Sequence, residues 1–180
     1  MPNSGPSKPV FVPLTADHLP LLARWLDEPH MRQWWGEPEE ELRLIRDMVE
    51  GRDSTRPFII EVDGEPVGYI QYWHIGDYQN AGWIADHPWL AELPPETVGV
   101  DLSIGDPALL SRGIGSAALA AFARMLVGQG HRVVIIDPDE TNARAIRAYT
   151  KAGFRPLARL QGRSGSELIM QYDPDADDST

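Results

Sequence analysis

Two stretches decide the fold of this chain: S-R-G-I-G-S at residues 111–116 and N-A-R-A-I-R-A-Y-T-K-A-G-F at residues 142–154. In the first, two glycines stand where a loop enters a helix with an apolar stripe, so several backbone N–H groups can turn toward one anion. The second places Asn142, Ala145 and Tyr149 on one helix face. The two segments predict a phosphate-binding loop and a helix that presents a tyrosine.

The glycine-rich segment also fits a second pattern. It reads G-x-G-x-x-A from Gly113 to Ala118, and Asp137 follows about twenty residues on, as in the dinucleotide-binding fingerprint. That fingerprint requires its first glycine directly after a strand, whereas residues 105–112 intervene here. A chain of 180 residues also lacks room for a second mononucleotide-binding half. A purely structural turn into the helix is a third interpretation.

Composition limits the class of protein. A chain of 180 residues with 42% hydrophobic content suits one globular domain with a sizeable core. No apolar run is long enough for a membrane span, and the N-terminus lacks the apolar core of a signal peptide, so the expected location is cytoplasmic, without a membrane partner. The absence of cysteine excludes a thiolate nucleophile, and the five histidines show no ligand spacing, so no metal is expected.

Charge is unevenly distributed along the chain. The net charge of -11 argues against a nucleic-acid partner. No Lys or Arg occurs within residues 57–111, and the segment is purely acidic. Its acids are Glu61, Asp63, Glu65, Asp77, Asp86, Glu92, Glu96, Asp101 and Asp106. A solvated acidic surface explains this pattern, and so does a binding region for a polycationic substrate beside one for an anionic cofactor.

The hydrophobic pattern predicts a mixed α/β domain at residues 9–172, between a disordered N-terminus at 1–8 and an acidic C-terminal tail at 173–180. Residues 74–96 are predicted to form a long functional loop. Strand and helix patterns alternate after residue 97, so the sheet should be partly parallel. The predicted strands are 10–12, 58–62, 67–73, 98–104, 132–136, 154–160 and 166–172, and the later helices are 39–50, 114–128 and 141–152.

These segments resemble the acyl-CoA-binding half of the GNAT superfamily of N-acetyltransferases. The motif G-V-D-L-S-I-G at residues 99–105 narrows the resemblance to the aminoglycoside 6'-N-acetyltransferases, and the likeness extends over residues 9–172. Leu110 departs from the Gln or Arg usual in the family, and Arg112 offers a replacement positive charge. The resemblance implies a central mixed, mostly antiparallel sheet of about seven strands, flanked by helices, with a parallel pair at the acyl-CoA cleft.

The resemblance also implies an activity and a cofactor site. The activity is direct acetyl transfer from acetyl-CoA to a primary amine of an aminoglycoside, in a ternary complex, which confers resistance. The implied cofactor-binding residues are Leu102, Ile104, Arg112, Gly113, Ile114, Gly115, Ser116, Asn142 and Ala145. Asn142 has an alternative role as a helix-capping residue.

Two residues are candidate catalysts. Asp101 matches the base of the aminoglycoside enzymes, and we expect it to accept the amine proton through water or with a raised pKa. Tyr149 occupies the family's general-acid position, where a phenol of pKa about 10 can protonate a leaving thiolate of pKa about 8.5. The alternatives are a solvated strand acid and an interfacial core tyrosine.

The substrate side is implied more weakly. Aromatic residues in the N-terminal half resemble those that contact the sugar in these enzymes, although adjacent aromatics are more often core. Asp137, after a buried strand, either contacts a substrate amine or caps the helix that follows. The implied substrate-binding residues are Trp34, Trp35, Tyr69, Gln71, Trp83, Asp101 and Asp137.

Two rival functions remain open. One is a siderophore-biosynthesis N-acyltransferase acting on a hydroxylysine-type amine, a relative within the same superfamily. The other is a non-catalytic module that binds CoA or antibiotic, against which Asp101 and Tyr149 argue. The expected oligomeric state is a monomer or a homodimer.

Overall fold

The computed structural model describes residues 7–178, with side chains to residue 176. Most of the predicted disordered segment 1–8 and the last two residues of the predicted tail lie outside the described residues. The strands are β1 Val10–Pro13, β2 Arg56–Val62, β3 Glu65–His74, β4 Val98–Ile104, β5 Val134–Ile136, β6 Phe154–Pro156 and β7 Met170–Tyr172. The α-helices are α1 Leu19–Leu26, α2 Pro29–Trp35, α3 Pro38–Val49, α4 Ala81–Asp86, α5 Ile114–Gly128 and α6 Ala143–Lys151.

The seven strands form one mixed sheet in the order β1-β2-β3-β4-β5-β7-β6. Strands β4 and β5 are parallel, with Val98 opposite Val134 and Gly99 opposite Ile135. The β1–β2, β5–β7 and β6–β7 pairs are antiparallel. The predicted fold class, a mixed sheet of about seven strands with a parallel pair, is confirmed.

Contacts along the chain divide it into two compact units. The first unit comprises the described residues up to Gln71 together with Leu102–Ala118, and the second comprises Tyr72–Asp101 and the rest of the chain from Leu119. Each unit has its own apolar cluster. That of the first unit includes Leu22, Leu26, Ile45, Ile59 and Tyr69, and that of the second includes Ile75, Trp89, Leu90, Ile135, Leu160 and Ile169.

The turn between β2 and β3 explains the hairpin that the sequence predicts. Asp63 and Gly64 have φ angles of 54° and 79°, so both residues adopt the left-handed conformation. A two-residue turn of this kind matches the twist of the strands it connects. The predicted hairpin is confirmed, and it begins at Arg56, earlier than expected.

The segment predicted as a loop at residues 74–96 contains three short helices, so that part of the prediction is wrong. They are the 3₁₀ turns Ile75–Tyr78 and Pro88–Glu92 and helix α4 between them. The Asn80 Oδ1 atom accepts a hydrogen bond from the Trp83 N–H at 3.2 Å, which starts α4. The Asn80 cap of α4 and the proline that begins Pro88–Glu92 are local signals, which a search for hydrophobic periodicity does not detect.

The last predicted hairpin is shorter than expected. Its two strands keep only Phe154–Pro156 and Met170–Tyr172, and a 3₁₀ turn at Ala158–Leu160 replaces the end of the first. The end of the chain contains another 3₁₀ turn, Pro174–Asp178. Within residues 7–178, no helix is both long and apolar enough to cross a bilayer.

Candidate active site

Asp101 lies in β4 where the strand alternation predicts it. Val100 is fully buried, whereas Asp101 is half-buried on the other side of the strand. Its Oδ2 atom accepts a hydrogen bond of 3.0 Å from the Trp73 indole N–H. Asp101 is therefore partly accessible and held by a donor from β3.

Asp137 and Glu167 are brought together by main-chain pairing. Asp137 follows β5 directly, and the residues after it run beside the approach to β7. The Leu168 N–H donates to the Pro138 carbonyl at 2.8 Å, and Asp139 pairs with Glu167 in an isolated antiparallel bridge. This pairing places a second carboxylate near the end of β5.

Glu167 is held by two side chains from the segment between β3 and β4. Its Oε2 atom accepts a hydrogen bond of 2.9 Å from the indole N–H of the buried Trp89. The Nδ1 atom of His87 lies 3.6 Å from the same oxygen. The Glu167 carboxylate is thus fixed rather than free in solvent.

The carboxylates interact strongly with one another. Burial raises the pKa of Asp137 well above its ordinary value, and the charges of Asp101 and Glu167 raise it further. Part of the Asp137 side chain still reaches the surface. A bound cation favours the charged form of Asp137, so its binding would offset part of the cost of ionising this carboxyl near Asp101 and Glu167.

Tyr149 belongs to the same electrostatic group. The tyrosine is half-buried on α6, and its pKa is raised by burial and by the charges of Asp101 and Asp137. Arg144 acts in the opposite direction and more weakly. The phenol therefore keeps its proton at neutral pH, and in this environment it is a weaker acid than a free tyrosine side chain.

Helix α6 is capped by Asn142. The Asn142 Oδ1 atom accepts a hydrogen bond of 3.1 Å from the Ala145 N–H. The capping alternative for Asn142 is therefore present in the structure, and Asp137 is not needed for it. Just before α6, the Asp139 Oδ1 atom accepts hydrogen bonds from the Thr141 N–H at 2.8 Å and from its hydroxyl.

The glycine-rich loop lies in the first unit and opens α5. Ser111 and Gly113 have φ angles of 59° and 80°, and this left-handed backbone turns the chain into the helix at Ile114. The Gly113 carbonyl accepts hydrogen bonds from the Ala117 N–H and the Ser116 hydroxyl, each at 3.1 Å. The N–H groups of the first turn have no acceptor within a helix, so they are available to an anion.

Gly115 leaves room for a ligand at the start of α5. A Cβ atom built on Gly115 would meet only the Ile104 side chain, at 3.8 Å, which is an ordinary contact. Arg112, next to this turn, is exposed. Of the two strand residues implied for the cofactor, Ile104 is buried and Leu102 is half-buried. The loop fits the binding of a phosphate group, with backbone N–H groups and one cation nearby.

The predicted aromatic residues of the first unit separate into core and surface. Tyr69 is 1% exposed, and its hydroxyl donates to the Gln71 Oε1 atom at 2.5 Å. Trp35 packs edge-on against the Tyr69 ring at 5.5 Å. These three residues agree with the core alternative, whereas Trp34 is 36% exposed.

In the second unit, Trp83 forms an exposed aromatic surface. It is 47% exposed, it contacts the Tyr78 ring edge-on at 5.1 Å, and it stacks on the His87 ring at 5.9 Å. An exposed indole supported from below can stack on the apolar face of a sugar ring.

Sequence reasoning missed Glu167 and did not assign the contact of Trp73 to Asp101. Neither contact has a local sequence signature, because each joins residues from separate elements. To predict that Glu167 lies near Asp137, one would have to know that residues 138–140 pair with residues 166–168. Within the described part of the chain, no group of three or more His, Asp or Glu could hold a metal ion.

A mixed seven-stranded sheet, an anion-binding loop before α5 and a carboxylate–tyrosine group are typical of an acetyl-CoA-dependent acyltransferase. Residues 15–161 match the acetyltransferase (GNAT) domain, and the chain belongs to this family. It is 31% identical over 166 residues to an aminoglycoside N(6')-acetyltransferase type 1 of Klebsiella pneumoniae, covering 87% of this chain and 79% of the relative. It is also 31% identical over 83 residues to a kanamycin resistance protein of Rhizobium radiobacter. This match covers 46% of this chain and 77% of the relative.

Solved structures agree with this assignment. The fold matches the aminoglycoside acetyltransferase AAC(6')-Ib in complex with coenzyme A and kanamycin with a TM-score of 0.77 at 25% identity, covering 96% of this chain and 99% of the other. The same enzyme in complex with parmomycin and acetyl-CoA gives the same TM-score and identity.

Proposed function

We propose that this protein transfers the acetyl group of acetyl-CoA to the 6' amine of an aminoglycoside antibiotic and so confers resistance. The observation that carries the proposal is the carboxylate cluster of Asp101, Asp137 and Glu167 beside a protonated Tyr149. An aminoglycoside carries several ammonium groups, and such a cluster favours a polycation. The aminoglycoside N(6')-acetyltransferase relatives support the choice of substrate class.

The proposed reaction is a direct attack in a ternary complex. Asp101 accepts the ammonium proton, directly or through a water molecule, because an alkylammonium is not a nucleophile. The amine nitrogen then bonds to the acetyl carbon, and the carbon–sulfur bond breaks as the tetrahedral intermediate collapses. Tyr149 gives its proton to the departing thiolate, and the second proton of the attacking nitrogen passes to the Tyr149 oxygen through solvent, which leaves a neutral amide and restores the phenol. No covalent enzyme intermediate is needed.

Acetyl-CoA is assigned to the glycine-rich loop. The backbone N–H groups of residues 112–116 and the Arg112 charge are proposed to hold the pyrophosphate. Leu102 and Ile104 on β4, and Asn142 and Ala145 on α6, are proposed to contact the pantetheine arm. Because the Asn142 Oδ1 atom already caps α6, its contribution would come from the rest of its amide group.

On the substrate side, Trp83 and Trp34 are proposed to stack on sugar rings because their indoles are exposed. Asp101 and Asp137 are proposed to hold ammonium groups. Trp35, Tyr69 and Gln71 are proposed to act from beneath, by shaping the surface on which the substrate lies, since Tyr69 and Gln71 are buried.

The broader expectations remain part of the proposal. They are a single catalytic domain over residues 9–172, a monomer or homodimer, and a cytoplasmic protein without nucleic-acid or membrane partners. The net charge of -11 supports the exclusion of nucleic acid, because phosphate backbones bind clustered Lys and Arg.

A thiol-release assay tests the proposed function against both rivals. Acetyl-CoA is supplied with kanamycin, with an aminoglycoside that carries a hydroxyl at 6', or with a hydroxylysine-type amine. We expect fast CoA release with kanamycin and little with the other two acceptors. Preference for the hydroxylysine-type amine would favour the siderophore enzyme, and no release with any amine would favour a binding module. Asp101→Asn is the control for background hydrolysis.

A further inference from the structure

We propose that Trp73 is a positioning residue that holds the Asp101 carboxylate through its indole N–H, and that Gly99 exists in β4 to admit the Trp73 ring. This inference rests on the proposed function, in which Asp101 is the base. Neither Trp73 nor Gly99 is among the catalytic or binding residues that the resemblance implies.

The hydrogen bond itself is specific. The Trp73 Nε1 atom lies 3.0 Å from the Asp101 Oδ2 atom, and an indole has only this one donor. A donor to one carboxylate oxygen limits rotation of the group about χ2. The other oxygen is thereby kept in one orientation, which a base that must meet an amine proton requires.

The indole has a fixed place because β4 carries a glycine two residues before Asp101. A Cβ atom at Gly99 would lie 2.4 Å from two carbons of the Trp73 ring, a distance that no packing tolerates. The ring therefore lies directly on the β4 backbone. The Trp73 ring also contacts the Tyr78 ring edge-on at 5.1 Å. Trp73 is thus held by the β4 backbone and by an aromatic ring.

Trp89 provides a matched control inside the same unit. It also donates its indole N–H to a carboxylate, at 2.9 Å, but that carboxylate is Glu167 and takes no proton in the proposed reaction. Trp73→Phe and Trp89→Phe thus remove the same chemical group from two different acids. If the loss of the indole N–H acts through Asp101, only Trp73→Phe should slow turnover.

The kinetic test compares kcat and KM in these variants. We expect Trp73→Phe to lower kcat about tenfold or more while KM for acetyl-CoA stays near the parental value. For Trp89→Phe the effect should fall on KM for the aminoglycoside and leave kcat within about twofold. The double variant Trp73→Phe/Asp101→Asn should have the kcat of Asp101→Asn alone, because both changes act on one unit.

Gly99→Ala tests the close contact between the β4 backbone and the Trp73 ring. The added methyl group should displace the indole, lower stability and reduce kcat as Trp73→Phe does. Should this variant fail to fold, the parental protein still offers a test. The indole ¹H–¹⁵N resonance of Trp73, identified by its loss in Trp73→Phe, should move upfield in Asp101→Asn, while that of Trp89 stays in place.

The outcomes separate this inference from the function it rests on. A Trp73 resonance that does not respond to Asp101→Asn, or a parental kcat in folded Trp73→Phe, would overturn the positioning role. If instead Asp101→Asn itself kept parental kcat, the assignment of Asp101 as base would fail, whatever the resonance showed. Multiplicative losses in the double variant would also contradict the inference.

Discussion

At Asp137, burial and two neighbouring charges act in the same direction. Its raised pKa means that the folded protein holds a proton there more tightly than the unfolded chain does. The free energy of unfolding therefore falls as the pH rises from the ordinary Asp value of 3.8 through the raised folded value. Asp137 weakens the fold at neutral pH, as is expected of a residue kept for binding a cation.

Removing this charge should stabilise the protein. We expect Asp137→Asn to raise the free energy of unfolding at pH 7 by about 1–3 kcal/mol, and the gain should vanish below pH 3.8. Urea denaturation at several pH values measures it. Asp139→Asn is the matched control, because hydrogen bonds from Thr141 lower the pKa of that exposed carboxylate, so its loss should not stabilise. An Asp137→Asn variant that is less stable than the parent at pH 7 would contradict the raised pKa of Asp137.

Replacing Tyr149 should lower activity without unfolding the protein. Tyr149→Phe keeps the ring on α6 and removes the proton that the leaving thiolate needs. We expect kcat to fall by about 10²-fold, with acetyl-CoA affinity and unfolding temperature near the parental values. Single-turnover kinetics measures the chemical step directly. Parental turnover in that experiment would remove Tyr149 from the mechanism.

Residue-level prediction from the sequence succeeded where the residue type alone limits the role. The alternation in β4 predicted that Val100, Leu102 and Ile104 face the core and that Asp101 faces the other side of the strand. Val100 and Ile104 are buried and Asp101 is half-buried, but Leu102 is only half-buried too. Glu167 could not be predicted, because its place depends on which residues pair with the segment after β5. For Tyr69 the residue type misled the prediction, because this aromatic residue was implied to bind the substrate and instead lies in the core.

At the scale of elements, β4 was predicted to the residue because strand alternation and the following glycine both mark it. The short helices within residues 75–92 were missed because their apolar residues do not recur at a helical period. An asparagine cap starts α4, and a proline begins the 3₁₀ turn Pro88–Glu92.

The start of α5 is the proposed cofactor-binding element. Gly115→Asp should fold, because its Cβ atom finds ordinary space and an acid is favourable at a helix N-terminus. The added charge opposes the pyrophosphate, and we expect acetyl-CoA affinity to fall about tenfold or more. Isothermal titration calorimetry measures the affinity.

Gly128→Asp provides the control for that experiment. Gly128 ends the same helix, and a Cβ atom there meets nothing within 4 Å, so the variant adds the same charge at the other end of α5. Its acetyl-CoA affinity should stay near the parental value. Equal affinities for the two variants, or tight NADH binding by the parent, would contradict the assignment of the loop.

At the scale of the whole molecule, family membership and local chemistry agree. The chain belongs to the GNAT acetyltransferases, and its fold follows AAC(6')-Ib over 96% of its length. The fold class could be predicted from two motifs because the glycine-rich loop and the helix at residues 142–154 occur in a fixed order within it. Of the three interacting carboxyl groups, Asp101 lies in the acidic segment 57–111. Asp137 follows β5, and Glu167 precedes β7.

The position of the transferred acetyl group is the sharpest test of the proposed 6'-acetyltransferase activity. The protein is incubated with kanamycin and acetyl-CoA labelled with ¹³C in the acetyl group, and the product is analysed by two-dimensional NMR. We expect one labelled acetamide, on the 6' nitrogen, and none with Asp101→Asn. A label on another nitrogen, or an unmodified antibiotic alongside efficient acetylation of a hydroxylysine-type amine, would contradict it.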